Sequence, residues 1–438
     1  MKTRQKDETI NIVTLGCSKN LVDSEYLMKQ LDAGSLKVIH NANPADARTV
    51  IINTCGFIKD AKEESIDTIL QYIKAKEEGV LDRVFVMGCL SERYKKDLQI
   101  EIPDVDRYFG SNDIRSIVES LGVDYKQNLV GERLTATPSH YAYLKVSEGC
   151  DRNCSFCAIP LMRGKHRSKT IEQLVSEARI LAEKGVKELM LIAQDLTYYG
   201  VDIYRKQRLP DLLNKLADIN GLKWIRLHYA YPAGFPKEIV QVMKERENIC
   251  NYLDIPFQHI SNNVLKKMRR GNTSRHTYEL IDYFRSEIPD ITLRTTLLVG
   301  HPGEGKKEFE ELKQFVETVK FDRLGVFTYS KEDDTFSARN FKDNIPESLK
   351  KARASGIMEL QQIVSAELNR KKIGKELKVL IDRKEDEFFV GRSEADSPEV
   401  DNEVLVKSGT DLKIGNFYPV IITSATDFDL FGDLYLPD

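Results

Sequence analysis

The chain has 438 residues, 41% hydrophobic and 30% charged, with a formal net charge of −3. That composition supplies cores for two or three domains of roughly 150 residues each. The near-neutral total by itself points to no strong electrostatic partner, and no apolar run of about 18 residues is present to cross a membrane.

The first 130 residues alternate between apolar runs and helical patterns. Strands are expected at TINIVTLGC, TVIINTCGF and RVFVMGC, and helices at NLVDSEYLMKQL, DAKEESIDTILQYIKAKEEG, Glu92–Leu98 and Asn112–Leu121. Apolar strands separated by helices predict an α/β domain whose parallel sheet is covered on both faces. Residues 123–139 are polar and rich in turn formers, and read as a linker.

A second alternating series fills residues 140–370. Strands are expected at AYLKVSEGC, ELMLIAQD, WIRLHYA, YLDIPFQH, ITLRTTLLVG and RLGVFTYS. Six strand–helix units predict a partial (βα) barrel with its site at the C-terminal strand ends. One long helix, 346–370, closes the unit. From 372 to 438 the pattern changes to short strands between Gly, Asp and Asn turns, which predicts a small all-β barrel.

The N-terminal MKTRQKDETI lacks the apolar segment of a signal peptide, so the expected location is cytoplasmic, where thiols stay reduced. Cysteines at fixed spacings are then more often ligands than disulfides. Of the seven, Cys150, Cys154 and Cys157 fall within eight residues directly after a strand. Thiolates are the ligands iron–sulfur clusters require, and three of them leave one corner of a four-iron cluster open. A structural zinc ion usually takes four protein ligands, and no fourth Cys or His stands at zinc-like spacing.

Cys17, Cys55 and Cys89 each follow an apolar strand, VTLGC, IINTC and VFVMGC. Parallel strands bring their C-terminal ends to one edge, so these three also converge on a candidate cluster site. Cys250 stands alone and reads as a buried structural residue. At other barrel strand ends lie Gln194-Asp195, His228, His259 and the turn Gly300-His301-Pro302-Gly303-Glu304. Glycines in that turn allow close backbone approach to a ligand.

The Cys150, Cys154, Cys157 spacing resembles the radical S-adenosylmethionine superfamily. The resemblance implies that the open iron chelates the cofactor and that its cleavage yields a deoxyadenosyl radical. It also implies adenine contacts at Gly300, Pro302 and Gly303; Gln194, Asp195 and His259, by their place at strand ends, are further candidate cofactor residues, His259 being equally readable as a structural histidine. Members often carry Gly-Gly-Glu after the second strand, where this chain has Ala193-Gln194-Asp195.

With Gly16-Cys17-Ser18-Lys19-Asn20, Asn53-Thr54-Cys55-Gly56-Phe57, Gly88-Cys89 and Cys157-Ala158-Ile159-Pro160, the whole chain resembles the methylthiotransferases, which end in a TRAM barrel. This implies two 4Fe-4S clusters, two S-adenosylmethionine molecules per product and a flavodoxin- or ferredoxin-type electron donor. One branch of the family modifies an adenosine derivative in transfer RNA. The other modifies an aspartyl β-carbon of small-subunit ribosomal protein S-twelve. The segment from Pro160 to His166 and the landmark from Cys17 to Asn20 resemble the ribosomal-protein branch. The tail from Lys372 holds eight basic and fifteen acidic residues, clustered at Glu385-Asp386-Glu387 and from Glu394 to Glu403. Such a barrel repels phosphate and suits a basic protein, so that protein is the expected partner, without direct transfer-RNA binding.

Overall fold

The computed structural model describes residues 9–129, 131–407, 409 and 411–435. The N-terminal unit runs β1 (Thr9–Thr14), α1 (Ser18–Ala33), β2 (Lys37–His40), β3 (Thr49–Thr54), α2 (Lys59–Glu77), β4 (Arg83–Gly88), α3 (Cys89–Glu101), β5 (Arg107–Tyr108) and α4 (Ile114–Ser120). Its parallel sheet has the order β2-β1-β3-β4-β5. Ile10, Ile12, Ile51 and Met87 pack into one core, and Val13, Val50, Ile52 and Val86 into another. Neighbouring residues thus point to opposite buried faces, which is why these strands read as continuous apolar runs. The less apolar edge strands β2 and β5 add to the three strands expected.

The central unit runs β6 (Tyr141–Lys145), β7 (Ser147–Glu148), α5 (Ile159–Arg163), β8 (Arg167–Ser168), α6 (Ile171–Glu183), β9 (Glu188–Ile192), α7 (Val201–Tyr204), α8 (Leu209–Ala217), β10 (Trp224–Leu227), α9 (Glu238–Glu245), β11 (Ile249–Asp254), α10 (Asn262–Lys267), α11 (Ser274–Glu287), β12 (Thr292–Val299), α12 (Lys306–Val319), β13 (Arg323–Thr328), α13 (Phe336–Asn340) and α14 (Glu347–Arg370). Six parallel strands follow one another in the order β6-β9-β10-β11-β12-β13, an open barrel. The side chains of Leu191, Leu227, Leu253, Leu297 and Phe315 share its apolar core.

The stretch 123–139 is more than a tether. Val123, Tyr125, Leu134 and Ala136 pack onto the N-terminal core. Arg133 is fully buried, paired with Glu25 of α1 and, at 3.1 Å, with Glu177 of α6. One cation therefore ties the two units together from inside.

The last unit is a closed barrel of β14 (Glu376–Glu385), β15 (Phe388–Arg392), β16 (Val404–Lys407), β17 (Phe417–Ala425) and β18 (Leu430–Leu434). Val379 and Ile381 point into its core, while Leu380 between them packs outward with Trp224, Cys250 and Tyr252 of the central unit. Cys250 is fully buried in that seam. Charged pairs complete it. Arg392 bridges Glu188 and Asp382, Arg323 binds Asp396, and Arg294 binds Asp401.

These pairs correct one expectation. Much of the acidic run from Glu394 to Glu403 does not face a basic partner. Asp396 is fully buried against Arg323, Asp401 pairs with Arg294 and accepts from Tyr252, and Glu403 pairs with Arg383. The acidity of this run largely serves internal docking. Composition cannot distinguish a carboxylate buried against arginine from one facing water.

Candidate functional site

Cys17, Cys55 and Cys89 lie at the C-terminal edge of the first sheet. Thr54 and Gly88 are register partners, so Cys55 and Cys89 leave β3 and β4 side by side. Cys17 leaves the neighbouring strand β1 and caps α1. Gly16 has φ +85°, and a Cβ there would stand 2.6 Å from the Cβ of Cys55 and 2.8 Å from its Sγ. Burial pushes the Cys89 thiol up to about 12, Arg163 pulls it back, and Cys17 and Cys55 push it further. The three sulfurs therefore share one electrostatic environment.

Cys150, Cys154 and Cys157 follow β7, at the mouth of the barrel. Burial pushes Cys150 up to about 11 and Cys157 to about 12. The backbone N–H of Arg152 donates to Cys150 Sγ at 3.4 Å. Arg270, itself buried, donates to Cys154 Sγ at 3.3 Å, and the Tyr231 hydroxyl lies 3.6 Å from the same sulfur. Among the described residues no three His, Cys, Asp or Glu side chains close around a single-ion position. A cubane spreads its ligands wider than one ion does, and a donor set of cysteine sulfur alone fits it. Metal must displace the protons that burial holds on Cys150 and Cys157.

A charged network joins the two triads. Arg163 donates from Nε to Cys89 Sγ at 3.0 Å, from one terminal nitrogen to Asp23 at 2.6 Å, and from the other to Asn20. Lys145 pairs with Asp23 and, at 2.6 Å, with Glu148, two residues before Cys150. Burial favours the neutral form of Glu148, but Lys145 and Arg163 outweigh it and hold the carboxyl at about 2.

A cavity of about 190 Å³ is lined by sequence neighbours of both triads. Phe57 and Ile58, just after Cys55, form one wall, and Phe156, between Cys154 and Cys157, belongs to another. Tyr229, Gln258, Thr296, Thr328 and Ser330 come from the C-terminal side of the barrel strands. Tyr229 and Gln258 have φ of +62° and +68°. Left-handed backbone at bulky residues is held only where surroundings over-determine it, often at functional sites. Glu332, at the rim, receives Lys62 at 2.9 Å and Arg93 at 2.6 Å, latching α2 and α3 to the barrel.

The expected cofactor residues divide into two groups. Gln194 donates to Glu148 at 2.8 Å, and Asp195 accepts from Arg152 at 2.7 Å and from Thr197 N–H at 2.9 Å. These two connect to the cysteine loop. His259, Gly300, Pro302 and Gly303 form a packed corner instead. His259 is fully buried and accepts from Ser261 N–H at 3.0 Å. Gly300 N–H donates to Glu304 at 2.9 Å, and the glycine lies against the Lys350 stem of α14; Gly303 lies against Lys267. None of these six lines the cavity. His228 is buried, 3.0 Å from Ser397 of the last barrel. Arg163, Arg270, Tyr229 and Gln258 were not singled out by the sequence. Arg163 alone carried a signal, a charge inside the segment quoted from Pro160 to His166.

Comparison with known proteins agrees along the chain. Residues 9–110 match Uncharacterized protein family UPF0004, 144–316 the Radical SAM superfamily and 373–434 the TRAM domain. A protein of Bacteroides fragilis described as ribosomal protein uS12 methylthiotransferase RimO is 55% identical, over 98% of this chain and 100% of its own. The protein of the same description from Cytophaga hutchinsonii is 56% identical, over 99% and 100%. The chain belongs to the RimO family of methylthiotransferases. It is accordingly a radical S-adenosylmethionine transferase, a class that uses a 4Fe-4S cluster and S-adenosylmethionine. The solved methyltransferase TsrM from Kitasatospora setae shares the fold at 14% identity, with a TM-score of 0.56 over 76% of this chain and 77% of that one. No described helix is long and apolar enough to cross a membrane.

Proposed function

We propose that this chain places a methylthio group on the β-carbon of an aspartyl residue of ribosomal protein uS12, in place of one hydrogen. One observation carries the reading: sequence neighbours of both triads, Phe57 after Cys55 and Phe156 between Cys154 and Cys157, line a single cavity, and Arg163 and Glu148 join the two cysteine segments. RimO relatives that cover the full chain carry uS12 in their descriptions.

Cys150, Cys154 and Cys157 hold the cluster that, when loaded, supplies the electron for reductive cleavage of S-adenosylmethionine. Cys17, Cys55 and Cys89 would hold a second cluster, which would carry the sulfur to be transferred. Two cofactor molecules are used. One gives its methyl group to sulfur and leaves as S-adenosylhomocysteine. The other takes one electron and the substrate hydrogen, and leaves as methionine and 5′-deoxyadenosine; bonding of the substrate carbon radical to the methylthio sulfur releases one electron, which the second cluster would accept. A flavodoxin- or ferredoxin-type protein supplies the electron. Gln194 and Asp195 orient the loop around Cys150, and the apolar walls at Phe57 and Phe156 keep water from the radical.

With the run from Glu394 to Glu403 largely engaged internally, the acidic surface for a basic partner consists of the exposed cluster Glu385-Asp386-Glu387 and exposed carboxylates such as Glu376 and Asp433. These two fall in one row across β14, β17 and β18, each opposite Ile421. The deciding experiment is mass analysis of uS12 incubated with anaerobically reconstituted protein, S-adenosylmethionine and reductant. The expected result is one methylthio group on a single aspartyl residue. An unmodified uS12 beside modified transfer RNA overturns the reading.

A further inference from the structure

Lys19 lies in the first turn of α1, two residues after Cys17. Its side chain is only 8% exposed. Other buried cations nearby have an anionic or sulfur partner: Lys145 has Asp23, Arg163 has Asp23 and Cys89, and Arg270 has Cys154. Lys19 has none among the described residues. Its ammonium rests on the ring face of Tyr229, 3.1 Å from the centroid.

Tyr229 is one of the two cavity residues with left-handed backbone. Its N–H donates to Asp254 at 3.1 Å, and Asp254 is pinned by Arg294 at 3.1 Å. The ring is thus fixed by its backbone, and it sets the ammonium, two residues past Cys17, against a residue that lines the cavity. Taking a charge out of water without a counter-ion is unfavourable, and one cation–π contact offsets it only in part. The arrangement becomes favourable when an anion enters the cavity.

We infer that Lys19 is the specificity residue that receives the side-chain carboxylate of the target aspartyl residue. The inference rests on the function proposed above. The β-carbon that exchanges hydrogen for methylthio is bonded directly to that carboxylate. A cation holding the carboxylate therefore also holds the reacting carbon, beside the Cys17 edge from which sulfur arrives. It also separates aspartate from asparagine, whose neutral amide gains little from an ammonium.

The cofactor also carries a carboxylate, so the test must separate the two sources. Reconstituted full-length enzyme, wild type, Lys19→Met and Lys19→Arg, is titrated with a uS12 peptide spanning the target aspartate, with its Asp→Asn version and with S-adenosylmethionine. Wild type is expected to prefer the aspartyl peptide by at least about tenfold, the effect of one charged hydrogen bond. Lys19→Met should bind both peptides at the asparaginyl level, Lys19→Arg should restore the preference, and cofactor affinity should stay the same in all three. Iron content equal to wild type shows that the variants are folded. Preference for aspartate retained in Lys19→Met overturns the inference alone. So does a loss of cofactor affinity with that preference intact, which assigns Lys19 to the cofactor carboxylate. A wild-type enzyme that neither binds nor modifies the aspartyl peptide overturns the functional reading as well.

Discussion

Arg163 Nε donates to Cys89 Sγ at 3.0 Å, joining the segment after the barrel triad to a sulfur of the N-terminal triad. A guanidinium beside a ligand sulfur stabilises the more negative, reduced form of a cluster held there. Arg163→Met is expected to make the potential of that cluster more negative. Loss of one charged hydrogen bond, about 1.5–3 kcal/mol, corresponds to roughly 60–130 mV for one electron. Arg163→Lys, which keeps the charge, should shift it less. Redox titration followed by electron paramagnetic resonance measures both, and equal potentials in all three proteins would remove Arg163 from this role.

Gly16→Ala tests whether the first triad must be packed as closely as it is. A Cβ at residue 16 stands 2.8 Å from Cys55 Sγ, and φ there is +85°. Either Cys55 or the backbone must move. Iron after reconstitution is expected to fall from about eight to about four per chain, one four-iron cluster being lost. Colorimetric iron analysis reads this directly, and a full complement in the variant would show that the edge yields.

Cys150→Ala and Cys55→Ala should separate the two sites. The first removes a ligand at the barrel mouth, and deoxyadenosine formation is expected to stop. The second removes a ligand at the sheet edge, and deoxyadenosine should still form while methylthio transfer stops. Chromatography of the cofactor products together with mass analysis of uS12 gives both readouts. Methylthio transfer by the Cys55 variant would rule out the two-site division.

What the sequence disclosed follows from the range over which each signal acts. Cys55 and Cys89 were legible because both end apolar runs, and parallel strands carry such ends to one edge whatever the details of packing. The barrel strands were legible for the same reason. The pairing of Arg163 with Cys89 spans 74 residues and depends on how two units dock, which no local pattern encodes. The left-handed backbone of Tyr229 and Gln258 is imposed by tertiary contacts on residues that do not favour it. Gly300 and Gly303 carry a signal that names no particular neighbour. Glycine permits close approach by any neighbour, and here the neighbours are Lys350 and Lys267.

The docking of the last barrel is expected to weaken in acid. Burial alone would raise the pKa of Asp396, but Arg323 and Lys372 outweigh it and hold the carboxyl below its ordinary value. Glu188 is likewise held low by Arg392 and Arg226 against its burial. A carboxylate with a depressed folded-state pKa contributes stability that is fully present above the unfolded value, about 3.9 for Asp and 4.3 for Glu. That contribution is lost as pH falls below those values and through the folded ones. These ion pairs should therefore hold from neutral pH down to about 4 and be lost below it, whereas burial keeps the seam residue His228 neutral when folded and already costs stability as pH falls below about 6.5. Trp224 reports the event, because it is the single tryptophan, is 2% exposed and packs edge-on against Phe417 of the last barrel at 4.7 Å. Its emission should shift to the red below about pH 4. Asp396→Asn should loosen the same seam at neutral pH, because Arg323 then keeps its charge without a counter-ion, at a cost of about 3–5 kcal/mol. Denaturant titration followed at Trp224 compares the two proteins. Emission unchanged down to pH 3, with coincident titration curves, would show that apolar packing around Leu380 holds the barrel without these ion pairs.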